Sequence, residues 1–270
     1  MRAFLHAWMF FTRVRLPASW VQWCGYSPQT LAQSLVHWPG VGGVLGLLCA
    51  ALWMGLVIAL PNNDASLWVA AIVSTAWGVW LTGAMHEDGL ADLVDGLGGS
   101  LERTRALEIM KDSRVGAYGV LALCVAFLLK CSLLVALAQI DPWLSALALF
   151  SGHVISRWLA LAIAVRLPYA GEGAASKSQA VLAQVDGRMW FLSALWCLLY
   201  GALLWLGLDW PSDWWSALLA GVVLSALAWW WMHQLLWRRL QGFTGDALGA
   251  VQQVCELSSY LGVLLGLGWL

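Results

Sequence analysis

The sequence predicts an all-α, polytopic membrane protein of about seven transmembrane helices, preceded by an N-terminal helix lying at the membrane interface. Three observations carry this. Of 270 residues, 61% are hydrophobic and only 11% charged. There are 21 Trp, a residue that collects at lipid–water interfaces. Seven apolar stretches approach or exceed the roughly 20 residues that a helix needs to cross the hydrocarbon core. Helices are required because backbone polar groups in lipid must be satisfied within the segment, and nothing alternates as barrel strands do.

Met1 to Pro17 resembles a signal peptide at first sight, but Phe4–Phe11 is short and Arg13 and Arg15 follow it instead of preceding it. An interfacial helix is the better expectation. The spans then run roughly Val36–Leu60, Ser66–Met85, Val115–Ala138, Trp143–Val165, Trp190–Leu208, Trp214–Trp237 and Ala247–Leu267. Short loops at Pro61–Ala65, Gln139–Pro142 and Asp209–Asp213 contain no Lys or Arg. The opposite ends hold Arg2, Arg13, Arg15, Arg103, Arg105, Lys111, Arg114, Arg166, Lys177, Arg188, Arg238 and Arg239. The excess of cations on one side predicts a cytoplasmic N-terminus. Nothing divides the chain, so 1–270 reads as one integral-membrane domain with a catalytic loop over 86–114. The net charge of −1 says nothing about nucleic acid, and no basic patch is large enough to suggest such a partner, so none is expected. Six scattered Cys with no C-x-x-C pair read as packing residues, not a zinc site or disulfide framework.

Four carboxylates fall within His86–Gly99, at Glu87, Asp88, Asp92 and Asp95. Helical spacing puts Asp88, Asp92 and Asp95 on one face. A solvated acidic face would carry Lys or Arg partners, and none lies between Leu81 and Glu102. Hard oxygen ligands grouped on one face suit Mg²⁺. Gly96–Ser100, including Gly98 and Gly99, reads as a glycine-rich turn whose N–H groups could cradle phosphate. Lys111 and Arg114 bring cations beside the next span, either to set topology or to neutralise a diphosphate.

Within the spans, Asp246, Gly249, Gln253, Glu256 and Tyr260 recur at helical spacing. Glu256 and Arg157 fall at similar depth, about 15 and 14 Å from the same face, so an ion pair is expected. His153 reads as a satisfied interior histidine, and Lys130 as a cation snorkelling to the outer face. Asp246 either caps the last helix or joins the metal site. Carboxylates, Mg²⁺ and cations together suit displacement at phosphorus, with a free carboxylate taking the proton of an attacking hydroxyl. A transporter using Arg157, Glu256 and Lys130 would explain the deep charges but leave the acidic motif idle.

Asp92-x-x-Asp95-Gly96 is similar to the opening of the CDP-alcohol phosphotransferase motif, but Ser100 stands where its Arg would be and the later Asp pair is missing. A resemblance covering nearly the whole chain is to the cobalamin synthase (adenosylcobinamide-GDP ribazoletransferase) family. It is carried by Phe11–Pro17, Pro39–Gly42, His86–Asp92, Ile109–Gly116, Ser156–Trp158 and Gly245–Ala250. Val14 departs from a more usual Leu. The resemblance implies a Mg²⁺-dependent enzyme of the bacterial cytoplasmic (inner) membrane, its active site facing the cytoplasm. The implied substrates are adenosylcobinamide-GDP and α-ribazole or its 5′-phosphate, with GMP released; a homo-oligomer is compatible with it. Onto that activity the residues map as expectations: Asp88, Asp92, Asp95 and Asp246 on the metal, Glu87 as ligand or general base, and Lys111, Arg114, Arg157, Gly98 and Gly99 on substrate.

Overall fold

The computed structural model describes residues 1–171, 185–207 and 210–268. Lys177, Leu208 and Asp209, used above for topology, lie outside them. Among the described residues the secondary structure is helical, apart from one isolated bridge between Tyr169 and Phe243. Helices α1 (Arg2–Phe11), α2 (Ala18–Cys24) and α3 (Pro28–Ser34) lead through a short 3₁₀ turn into α4 (Trp38–Ala59). There follow α5 (Asp64–Thr82), α6 (Met85–Gly99), α7 (Arg103–Ile109), α8 (Ala117–Ile140) and α9 (Pro142–Arg166). The chain ends with α10 (Gly187–Gly207), α11 (Ser212–Leu240) and α12 (Gly245–Leu267). Among the described residues seven helices are long and apolar enough to cross a membrane, the first running from Gln29 to Ala59.

The core sits on α9 and α12, whose apolar windows are 72% and 67% buried, against 6% for α10. Small residues make this possible. Gly42 and Gly46 of α4 face the backbone of His153 and Phe150, and a Cβ at either would collide with α9. Gly221 and Gly262 do the same between α11 and α12. Without a hydrophobic driving force between helices in lipid, such close backbone approach is the main source of packing energy. Polar side chains add specific links: Trp53 Nε1 donates to Pro142 O (3.0 Å), Ser145 Oγ to Leu134 O (2.7 Å) and Ser225 Oγ to Cys255 O (2.7 Å). The peripheral α10 is held by Tyr200 OH donating to Gly40 O (2.9 Å), its ring occupying the space that the missing side chain of Gly43 leaves. All six cysteines are free, four of them buried.

One sequence expectation is corrected here. The stretch 86–114, which connects two spans, is occupied for most of its length by α6 and α7. Gly96–Gly99 is the last turn of α6, where glycine serves packing: a Cβ on Gly96 would strike Met110, and one on Gly98 the ring of Tyr118. The free backbone groups at a helix C-terminus are carbonyls. Arg239 Nη2 takes two of them, Leu97 O (3.0 Å) and Ser100 O (2.7 Å). Arg103 Nε likewise caps α11 at Leu240 O (2.7 Å).

α1 packs against α3, the 3₁₀ turn and α4, burying Leu5, Ala7 and Phe11. Just beyond it, Arg13 N donates to Leu81 O (2.8 Å) and the Arg13 side chain lies against the Cα of Gly83. Gly83 (φ +68°) and Ala84 (φ +62°) are consecutive left-handed residues that turn α5 sharply into α6. The N-terminal segment therefore braces the turn that aims the acidic helix.

Candidate active site

α6 crosses α12 at two glycines. A Cβ on Gly89 would stand 2.6 Å from Asp246 O and 2.9 Å from its Cα, and Gly249 meets the backbone of His86 in the same way. This contact brings the N-terminal half of α6 against the first turn of α12. There Asp88 and Asp246 line one cavity of about 220 Å³, with Arg157 of α9, Gln252 of α12, His86 and the aromatic residues Phe10, Phe11 and Trp38. Three segments far apart in sequence thus place two carboxylates and a guanidinium around one space.

Asp246 does not cap α12. Thr244 does, its Oγ1 accepting from Ala247 N (3.1 Å). The Asp246 carboxylate is left to face the cavity from the first turn, where the helix dipole favours negative charge. Asp92, one turn beyond Asp88, is half-buried. Desolvation, then the charges of Asp88, Asp246 and Asp95, push its carboxyl up to about 6. The charges of the other three aspartates thus act on Asp92, after desolvation. Among the described residues no Lys or Arg forms an ion pair with Asp88, Asp92 or Asp246.

Asp95 stands apart. Its Oδ2 accepts from Gly116 N (2.7 Å) and its Oδ1 from Gly119 N (2.8 Å), so it satisfies the free N–H groups at the start of α8. A Cβ at Gly116 or Gly119 would collide with that carboxylate. The glycines of the 116–119 segment carried this signal, which linear spacing on α6 concealed. Glu87 is also buried and lies outside the cavity lining. Its Oε1 accepts from Gln253 Nε2 (3.0 Å), its Oε2 has no partner among the described residues, and burial raises its carboxyl above the usual range.

The deep charges pair differently from the sequence expectation. Glu256 is joined to Lys130 Nζ (2.5 Å), not to Arg157, and also accepts from Gln252 Nε2 (2.5 Å) and Tyr260 OH (2.7 Å). Lys130 does not snorkel; it is 6% exposed. Depth along each helix was estimated from spacing alone, but the rotation of α8 that points Lys130 inward is a packing outcome. Arg157 Nη1 instead bonds His153 Nδ1 (2.9 Å) and donates to His153 O (3.0 Å), while its Nε has no partner among the described residues. His153 is interior, but the expectation of a satisfied ring holds only in part: Nδ1 is engaged, while the buried Nε2 has no partner among the described residues. Arg114 is exposed and forms a forked pair with Asp112 (2.6–3.2 Å), which holds the Asp112 carboxyl down at about 2. Lys111 and Arg114 are not among the cavity lining, and neither are Gly98 and Gly99.

The fit of a divalent ion follows from the donor set. Among the described residues no three His, Cys, Asp or Glu side chains converge on one point. Mg²⁺ asks for less, since it usually keeps several waters and takes one or two carboxylates plus substrate phosphate oxygens. Asp88 and Asp246 meet that requirement, with Asp92 one turn away.

A bundle of apolar helices with carboxylates and one buried guanidinium around a cavity beside the ends of its spans defines a polytopic membrane enzyme of the group-transfer type. The comparisons with known proteins specify it further. The family model for cobalamin-5-phosphate synthase matches residues 3–264. A protein of Albidiferax ferrireducens named adenosylcobinamide-GDP ribazoletransferase is 46% identical, covering 99% of both chains. One of the same name from Polaromonas sp. is 46% identical over 99% of this chain and 98% of its own. Another from Vibrio cholerae is 35% identical over 97% and 92%. No solved structure matches. The chain belongs to the cobalamin-5-phosphate synthase family.

Proposed function

We propose that this protein transfers the adenosylcobinamide phosphate moiety from adenosylcobinamide-GDP to α-ribazole or its 5′-phosphate, releasing GMP, with Mg²⁺ as cofactor. The observation that carries the reading is the convergence of Asp88, Asp246 and Arg157 on one cavity, in a chain whose full-length relatives bear that transferase name. In the reaction a ribose hydroxyl attacks the cobinamide-side phosphorus, its proton passes to a base, and the bond to the GMP oxygen breaks.

Asp88 and Asp246 would hold the ion, which when bound neutralises charge on the phosphoryl oxygens and the departing GMP. Arg157 of α9 lines the same cavity. Its buried Nε–H has no partner among the described residues, so a phosphate oxygen there would gain a charge-assisted hydrogen bond. The cation–π contact with Phe11, at 5.6 Å from the ring centroid, and the two bonds to His153 fix the guanidinium. Asp92 is the proposed base: it lies one turn from Asp88, just outside the cavity lining, and desolvation is the largest cause of its raised carboxyl. Glu87, the earlier candidate, is tied to Gln253 and is assigned to orienting α6 against α12.

The active site is placed at the cytoplasmic face of the inner membrane, which the distribution of Lys and Arg supports. The deep charges need no transport role: Lys130, Glu256, Gln252 and Tyr260 satisfy one another inside the bundle. The test is GMP release by purified protein supplied with both substrates, with Mg²⁺ and with chelator. Chelator-sensitive release that requires both substrates is expected. Its absence from well-folded protein in lipid would refute the reading.

A further inference from the structure

The cavity lining carries two chemically different sets of side chains. Asp88, Asp246 and Arg157 are one, and the chemistry above uses it. Phe10, Phe11 and Trp38 are the other, supplied by the C-terminal end of α1 and the start of α4. The rings of Phe10 and Trp38 are stacked, parallel within 9° with centroids 5.9 Å apart. Phe11 meets both edge-on, His86 stacks parallel to it at 5.7 Å, and the Arg157 guanidinium lies over it. Phe10 is 48% exposed, which leaves surface available to a ligand.

Volume limits what can enter. Sites that enclose a drug-sized molecule measure about 300–1,000 Å³. At about 220 Å³ this cavity is too small for a corrinoid, and admits one flat bicyclic ring beside phosphate oxygens. Both substrates of the proposed reaction carry such a ring. Guanine has N–H donors and a carbonyl on its edge, which three aromatic side chains would leave unpaired at a cost in desolvation. A glycosylated benzimidazole has no N–H, a single ring-nitrogen acceptor and an apolar carbocyclic edge, so it loses less there. Stacking on aromatic faces holds planar bases without hydrogen-bond readout.

Resting on the transferase reading, we infer that Phe10 and Trp38 receive the benzimidazole ring of the acceptor nucleoside, so that α1 selects the acceptor while the corrinoid remains outside the cavity. Phe10 is the residue to vary, since it is exposed and its loss does not open the core.

The experiment compares wild type, Phe10→Ala and Phe10→Tyr in lipid nanodiscs. Steady-state GMP release gives KM for each substrate, and equilibrium dialysis gives the affinity for α-ribazole alone. Phe10→Ala should raise KM and Kd for α-ribazole about tenfold, the scale of one lost base–aromatic stack, while KM for adenosylcobinamide-GDP stays within twofold. Phe10→Tyr, which keeps a ring, should recover most of the affinity. Free 5,6-dimethylbenzimidazole should compete with α-ribazole for wild type and lose potency with Phe10→Ala. Unchanged α-ribazole affinity in Phe10→Ala would overturn the inference, as would a rise confined to the donor's KM. If wild type releases no GMP, the transferase reading fails by itself, and the dialysis still decides whether the aromatic set binds the nucleoside.

Discussion

Gly89 is the point where a single methyl group tests whether the crossing of α6 and α12 assembles the site. In Gly89→Ala the new Cβ would lie 2.6 Å from Asp246 O and 2.9 Å from Asp246 Cα, where ordinary contact begins at 3.4 Å. Both neighbours are backbone, so no side chain can swing aside, and the helices must part by up to about 0.8 Å. Overpacking of this kind costs about 1–3 kcal/mol. Ala in place of Gly returns up to about 1 kcal/mol of helix propensity, so the net loss of stability is small. The loss of function is not. Asp88 is the next residue on α6 and Asp246 is the one displaced, and a shift approaching 1 Å at reacting groups lowers rates by about 10²-fold. GMP release should therefore fall ten- to a hundredfold, with a raised Mg²⁺ requirement and a melting temperature within a few degrees of wild type. Gly55→Ala, at an exposed position of α4, is the control: its Cβ meets nothing within 4 Å, so activity and Mg²⁺ requirement should not change. If Gly89→Ala turned over as fast as Gly55→Ala, the α6–α12 crossing would not be what sets the carboxylates.

Three further outcomes follow from the same geometry. Because Asp92 is raised from 3.8 to about 6, the folded metal-free protein binds that proton more tightly than the unfolded chain. The stability gained is complete below pH 3.8 and lost as pH rises through about 6, so Asp92→Asn should melt higher than wild type in chelator at pH 7.5 and abolish turnover. A lower melting temperature would sink the repulsion argument. Lys130→Met strands Glu256 in the bundle and should cost about 3–5 kcal/mol in chemical unfolding, whereas Lys130→Met with Glu256→Gln should recover much of it. Equal losses in the single and double variants would show that the pair is not coupled. Asp95→Ala removes both acceptors at the start of α8 and should cost about 0.5–2 kcal/mol, without changing the Mg²⁺ concentration for half-maximal rate. A shift in that concentration would return Asp95 to the metal.

The seven spans and the helical acidic motif were legible in the sequence, because each rests on local quantities. Apolar length, helical spacing and the exclusion of unpaired charge from lipid depend on no distant contact. Who pairs with whom was not legible. Lys130 and Glu256 are 126 residues apart, Asp95 meets its donors 21 and 24 residues on, and the cavity joins α1, α4, α6, α9 and α12. Helical spacing assigns a residue to a face of its own helix but cannot say which neighbour that face meets. Asp88, Asp92 and Asp95 share a face by spacing, yet only packing separates the aspartate that caps α8 from the one that opens on the cavity. The glycines set the answer: where Gly89, Gly42 and Gly116 omit a side chain, another segment comes into contact, and which segment arrives is a property of the folded bundle.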